Sequence, residues 1–177
     1  MTRLLLHICC APCSASAADV LKNNFDVSFY WFNPNIYDQK EYEIRKENAK
    51  RFAKELGVNF YEEDGFIYDG KKWKQESSLI CENCYKLRLE KTAKFAKDNN
   101  FDAFSTSLLS SPYQKHELIK QISQKLSLEY KIDFVYKDFR PKFYEGKNSL
   151  RAKGYYLQKY CGCEKSFQEM LERKNNK

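Results

Sequence analysis

Proline and glycine are scarce, four and six among 177 residues, and they never gather into a linker. A chain of this length without one reads as a single domain over residues 1–177 rather than two tethered ones. No internal repeat or low-complexity tract breaks it up. No apolar stretch approaches the roughly 20 residues that a membrane helix requires, so no association with a membrane is expected. Two phosphate-binding fingerprints are missing as well. Neither G-x-G-x-x-G nor G-x-x-x-x-G-K-[ST] occurs, which argues against the common dinucleotide and P-loop sites. Histidine is limited to His7 and His116. A lone strand histidine is more often a satisfied core residue than a ligand, and neither is assigned to a metal.

What is present in quantity belongs to a folded domain: 42% apolar and 16% aromatic residues, far from the composition of disordered chains. The net charge of +7 favours a polyanionic partner, and most of it sits in one segment. Residues 136–160 carry Lys or Arg at 137, 140, 142, 147, 151, 153 and 159 against acids at 138 and 145, with aromatics at 136, 139, 143, 144, 155, 156 and 160. Rings stack on splayed bases while cations meet phosphates, so Lys137, Arg140, Lys142, Arg151 and Lys153 are candidate nucleic-acid contacts. The competing reading is an amphipathic helix whose rings are core and whose lysines are solvated.

The opening "LLLHICCAPCSAS" (4–16) imitates a secretion signal, with Arg3 before an apolar run and an Ala15-Ser16-Ala17 box after it. His7 and Pro12 interrupt the run, and cleavage would discard three of the seven cysteines. The stretch is therefore read as a buried first strand of a cytoplasmic protein, where grouped cysteines serve metals or redox chemistry more often than structural disulfides. Strands are expected at 3–8, 26–32, 58–61, 101–107 and 134–136. Helices are expected at 14–23, capped by Ser14 or Ser16, at 41–56, closed by Gly57, at 84–97, and after Ser111-Pro112, with a helical C-terminal segment. Strands alternating with helices imply an α/β fold, a Rossmann-like three-layer sandwich with a parallel sheet. Ligands of such folds sit at the carboxyl ends of the strands, where Cys9 and Cys10 fall.

Seven cysteines cannot all pair within one chain. They form three groups: Cys9, Cys10 and Cys13; Cys81 and Cys84; Cys161 and Cys163. Separated groups of this kind let ligands converge on one centre from different loops. Cys81 and Cys84 at a helix start lie about one turn apart, with the positive helix terminus behind them. Adjacent cysteines on an extended strand point to opposite faces, so Cys9 and Cys10 share a centre only if the backbone turns between them. Cys161-Gly162-Cys163 has a spacing at which a small strained disulfide, an oxidising one, closes; two further ligands of a zinc site are the alternative.

Six segments carry a family resemblance: "HICCAPC" (7–13), "FNPNI" (32–36), "CENCYKLRLEKTA" (81–93), "FDAFSTSLLSSPYQKHELI" (101–119), "DFRPKFYEGKNSLRAKGYY" (138–156) and "YCGCEKS" (160–166). In this order, along nearly the whole chain, they resemble the QueH family of epoxyqueuosine reductases. The resemblance implies two-electron deoxygenation of epoxyqueuosine to queuosine at the wobble position of tRNA, by an iron–sulfur enzyme that needs no cobalamin. It further implies a [4Fe-4S] cluster on Cys9, Cys10, Cys81 and Cys84, and a redox-active pair in Cys161 and Cys163. Cys13 is left for a catalytic role or for a second mononuclear metal, iron or zinc. The partners implied are tRNA, through the anticodon stem-loop carrying epoxyqueuosine, and an external electron donor. One departure occurs at Asn35-Ile36-Tyr37-Asp38, where the family more commonly reads Asn-Ile-His-Pro.

Removing an epoxide oxygen as water takes two electrons and two protons, and Asp138, Tyr113 and His116 are candidate acids. Two other functions compete. Cys10-Ala-Pro-Cys13 between a strand and a helix looks like the turn of a thiol–disulfide oxidoreductase. The cysteines and the basic segment together would also suit a non-catalytic, zinc-stabilised RNA-binding module.

Overall fold

The computed structural model describes residues 1–63 and 81–177. Its centre is β1 (Thr2–Ile8), in which Leu4, Leu5, Leu6 and Ile8 have no exposed surface. An unbroken apolar run suits a strand covered on both faces, which is what a parallel sheet gives its middle strand. In chain order there follow α1 (Ala11–Leu21), β2 (Phe25–Trp31), α2 (Gln39–Leu56), β3 (Phe60–Glu62), α3 (Cys81–Asp98), β4 (Ala103–Thr106), α4 (His116–Tyr130), β5 (Asp133–Phe134), α5 (Phe143–Ala152) and α6 (Glu164–Asn175). The five strands are all parallel in the order β3-β2-β1-β4-β5. Helices cover both sides: α1 packs against α2 and α5, and α3 packs against α4. This is the α/β Rossmann-like architecture expected from the sequence. From β1 the chain winds outward to β2 and β3, then returns to lay β4 on the other flank of β1. The strand order therefore reverses between β1 and β4, the place where open α/β sheets carry their crevice.

The helices at Gln39 and Cys81 begin two and three residues ahead of the expected 41 and 84, and two further starts differ for a visible reason. α1 begins at Ala11, ahead of Ser14, because Cys10 is its N-cap and its sulfur accepts from Cys13 N at 3.5 Å. Pro12 fits the first turn, where no backbone donor is needed. Ser14 turns inward instead and donates to the Cys10 carbonyl at 2.5 Å. α4 begins at His116 rather than at Ser111-Pro112, whose serine closes a separate turn by accepting from Tyr113 N at 3.2 Å. α2 ends as expected, with Gly57 in the left-handed region at φ 69°. At its start Asp38 accepts from Glu41 N at 2.8 Å, so the Tyr37-Asp38 departure from the family pattern serves here as a helix cap.

One close approach fixes the C-terminal part over the site. A Cβ on Gly146 of α5 would lie 2.7 Å from Ser16 Oγ and 3.1 Å from Ser16 N of α1. Ser16 Oγ also donates to the Lys142 carbonyl at 3.0 Å. Only glycine lets the two helices meet this tightly, and the contact sets Phe143 against Cys10 and Cys13.

Candidate metal centre

The first cysteine group forms where β1 ends. The backbone bends at Cys9, and the Cys9 and Cys10 sulfurs come within 3.8 Å of each other. One helical turn on, Cys13 joins them, and the three Sγ atoms all lie within 4.8 Å of one another. Cys10 and Cys13 are buried and Cys9 is half-buried. The far wall is the end of β4. Ser107 Oγ accepts from Cys9 N at 3.1 Å and lies 3.4 Å from Cys9 Sγ, and Ser110 Oγ donates to the Cys13 carbonyl at 2.9 Å. The group thus occupies the switch point of the sheet. Hydrogen bonds from Cys10 and Cys13 hold the Cys9 thiol well below its ordinary value. Burial pushes Cys10 up, and its bond to Cys10 pushes Cys13 up. Three thiols packed so closely leave room for one negative charge, unless a cation replaces the protons. His7, beneath them, is a core residue. It is fully buried, bonded through Nδ1 to Thr106 Oγ1 at 3.0 Å and through Nε2 to the Phe32 carbonyl at 3.1 Å, and burial lowers its pKa to about 4.

The other four cysteines come from two elements. Cys81 and Cys84 lie in the first turn of α3, three residues apart, Cys84 buried and Cys81 half-buried. Cys161 and Cys163 precede α6, and Cys163 caps that helix by accepting from Ser166 N at 3.4 Å. Their loop is anchored by Arg45 of α2. Arg45 donates from Nη1 to the Cys161 carbonyl at 2.7 Å, from Nη2 to the Tyr160 carbonyl at 2.8 Å and from Nε to Glu41 Oε1 at 2.7 Å. Gly162 sits at φ 133°, outside ordinary side-chain territory. A Cβ there would meet Ile36 Cγ1 at 3.0 Å and Arg45 Nη1 at 3.2 Å. The hydrogen bond from Cys163 lowers the Cys161 thiol to about 6, helped by Arg88, Gln114 and Arg45, and the same bond raises Cys163. All seven cysteines are thiols, so the disulfide expected between Cys161 and Cys163 is not supported.

The sequence reading put Cys9 and Cys10 with Cys81 and Cys84 and left Cys13 over. Among the described residues, the cysteines brought close enough to share an ion are Cys9, Cys10 and Cys13. What links the groups is Arg88, which sequence reasoning missed. It lies one turn beyond Cys84 on α3, is 1% exposed, and is surrounded by the titratable groups of Cys84, Cys161, Cys9 and Tyr85. Two glutamines were missed too: Gln158 Nε2 donates to Cys10 Sγ at 2.6 Å and Gln114 Nε2 to Cys161 Sγ at 3.5 Å. Arg88 did leave a signal. The buried stripe of α3 runs Cys84, Tyr85, Arg88, Leu89, Thr92, Ala93, Ala96, and a charge in such a stripe asks for a partner.

The basic segment is more structural than expected. Phe139, Phe143 and Tyr155 are core, while Tyr156 donates to Glu41 at 2.6 Å. Of the candidate nucleic-acid cations, Arg140 pairs with Asp138 at 2.8 Å, Lys142 with Asp19 at 2.6 Å and Lys153 with Glu55, and Arg151 donates to Asn148 at 3.0 Å. Lys137 is exposed. One ring of the segment, Tyr144, stays exposed beside Tyr113 from outside it. Tyr113 and Tyr144 are 73% and 58% exposed with hydroxyls 3.5 Å apart, and both touch Phe143, the ring packed on Cys10 and Cys13. Of the candidate acids, Asp138 is held below its usual range by Arg140, and His116 is lowered by burial and bonded to Tyr136 at 2.9 Å. Of the three, Tyr113 packs on Phe143, the ring that lies against Cys10 and Cys13.

Comparison with known proteins gives a consistent picture. The family model described as "Epoxyqueuosine reductase QueH" matches residues 4–169. A relative of that name from Dehalococcoides mccartyi is 32% identical, the match covering 98% of this chain and 97% of the relative. Another, from Thermotoga maritima, is 33% identical over 98% of this chain and 94% of its own length, and one from Haemophilus influenzae is 33% identical over 94% and 72%. Among solved structures, the U34-tRNA thiolase NcsA from Methanococcus maripaludis, determined with its [4Fe-4S] cluster, superposes with a TM-score of 0.62. Its identity is 16%, over 99% of this chain and 66% of the thiolase, a likeness of fold.

Proposed function

The chain belongs to the QueH family of epoxyqueuosine reductases, which are oxidoreductases, and from that premise we propose the reaction and the parts that carry it. The protein reduces the epoxide of epoxyqueuosine at the tRNA wobble position to the cyclopentene of queuosine. Two electrons and two protons are consumed, the oxygen leaves as water, and no cobalamin is required. The observation that carries this reading is the Cys9, Cys10 and Cys13 triad, three sulfurs within 4.8 Å of one another at the switch point of the sheet. Converging soft donors with little room for their protons fit an iron–sulfur group better than any oxygen-ligand metal.

The residues assigned to hold a [4Fe-4S] cluster are Cys9, Cys10, Cys81 and Cys84. Cys13 is the thiol left for a second single metal ion, iron or zinc. When bound, such a group supplies electrons one at a time and a Lewis acid for the departing oxygen. The protein's own part is positional. Ser107 and Gln158 orient Cys9 and Cys10, and Arg45 and Gly162 present Cys161. Cys161 and Cys163 form a dithiol, and oxidation of a dithiol to a disulfide releases two electrons and two protons, the number the reaction consumes. An external donor then restores the thiols. Tyr113 and Tyr144, exposed beside Phe143, are suited to stack bases of an opened anticodon loop, and the exposed Lys137 to meet its phosphates. The tRNA substrate and the thiols both suit the cytoplasm, and among the described residues no helix is long and apolar enough to cross a membrane.

A thiol–disulfide oxidoreductase built on Cys10-Ala-Pro-Cys13 is disfavoured, because the cap cysteine of such enzymes has a lowered pKa whereas burial raises that of Cys10. The deciding experiment is anaerobic purification with iron, sulfide and zinc analysis, followed by assay on epoxyqueuosine tRNA. About four iron and four sulfide per chain are expected, with loss of both cluster and activity in Cys10→Ala and Cys84→Ala. Colourless protein holding zinc alone and inert on the tRNA would refute the proposal.

A further inference from the structure

Arg88 is a buried cation without an acid. Its Nη1 makes one long hydrogen bond, 3.4 Å to Asn33 Oδ1, while Nε and Nη2 are buried with no nitrogen or oxygen partner among the described residues. Among the described residues no carboxylate pairs with it; its titratable neighbours are the sulfurs of Cys84, Cys161 and Cys9 and the hydroxyl of Tyr85, whose ring lies 5.9 Å off. Guanidinium does not give up its proton in proteins, and leaving it unpaired in the core is costly. A fold that keeps such a group has an anion for it, and among the described residues the surrounding candidates are three sulfurs and the Tyr85 hydroxyl.

Resting on the cluster reading above, we propose that Arg88 is a positioning residue whose positive charge and Nε and Nη2 donors stabilise the reduced cluster and raise its reduction potential. A cysteine-held cluster becomes more negative when it takes up an electron. Net charge and hydrogen bonds at its sulfurs are the protein's means of tuning that step. Arg88 supplies both from one buried position, shielded from the water that would screen an exposed cation. Its place on α3, one turn after Cys84, ties it to the element that delivers two of the assigned ligands. Asn33 keeps the fork in place, donating in turn to the Ile8 carbonyl at 2.8 Å at the end of β1.

The test is a spectroscopic redox titration of anaerobically prepared protein, with iron content measured alongside. Arg88→Met keeps the length of the stem and removes charge and donors. Its midpoint is expected to fall by at least tenfold in the reduction equilibrium, about 59 mV for one electron. Arg88→Lys keeps the charge and loses the planar fork, and its midpoint should fall by less, about threefold. A merely structural arginine would change stability and leave the midpoint in place. Full iron content with an unchanged midpoint in Arg88→Met overturns the inference and leaves the cluster reading intact. Wild-type protein that takes up no iron and sulfide overturns the cluster reading and the inference with it. If Arg88→Met does not fold, Arg88→Lys decides: a lowered midpoint supports the role and an unchanged one overturns it.

Discussion

Replacing Arg45 with methionine should loosen the C-terminal cysteine loop and cost a large share of the protein's stability. Arg45 and Glu41 lie one turn apart on α2, with side chains 2% and 10% exposed and Nε 2.7 Å from Oε1. Methionine fills most of the volume but strands the Glu41 carboxylate, which keeps only the Tyr156 hydroxyl at 2.6 Å. Breaking a buried pair from one side costs about 3–5 kcal/mol. The Tyr160 and Cys161 carbonyls also lose their donors; both residues are half-buried and water replaces much of that loss. With a urea slope of about 2 kcal/mol per M for a domain of this size, the unfolding midpoint should drop by about 2 M. Adding Glu41→Gln removes the stranded charge and should return about 1–2 kcal/mol. A midpoint within about 0.3 M of wild type, or a double variant less stable than Arg45→Met alone, would refute the view that the pair is a buried clamp.

Gly146→Ala should destabilise despite the helix propensity it adds. The gain is about 1 kcal/mol, against about 1 for the Ser16–Lys142 hydrogen bond it displaces and about 1–3 for the crowding. Thermal unfolding should show a net loss that shrinks in a Ser16→Ala background, and a loss that did not shrink would mean the contact at 2.7 Å is not its source. The His116 imidazole, lowered by burial from 6.5, should be neutral at pH 7 by NMR. Below pH 6.5 the unfolded chain binds the proton first, so stability should decline as pH falls through the folded value. His116→Gln should flatten that decline relative to wild type.

The fold was legible because its strongest signals are local. β1 is a run that no amphipathic element would carry, and α2 shows both its apolar stripe and its Gly57 stop. The start of α1 went astray because sulfur stood in for a hydroxyl: Cys10 caps it in front of two serines that would ordinarily be preferred. The basic segment misled for a related reason. Composition counts rings and charges, whereas the fold had already spent Phe139, Phe143 and Tyr155 on the core and three cations on Asp19, Glu55 and Asp138.

The site was half legible. Grouped cysteines announce a centre by themselves, yet which groups meet is a property of strand order, and only the return of β4 to the flank of β1 sets Ser107 beside Cys9. Arg88 shows the same division. Its spacing from Cys84 and its place in an apolar stripe are written in the chain, and they say that a cation will be buried. What that cation is for depends on Cys9 arriving from β1 and Cys161 from the loop before α6, segments 79 residues before it and 73 after it. Local periodicity thus predicts the cost, and only the topology supplies the anion that offsets it.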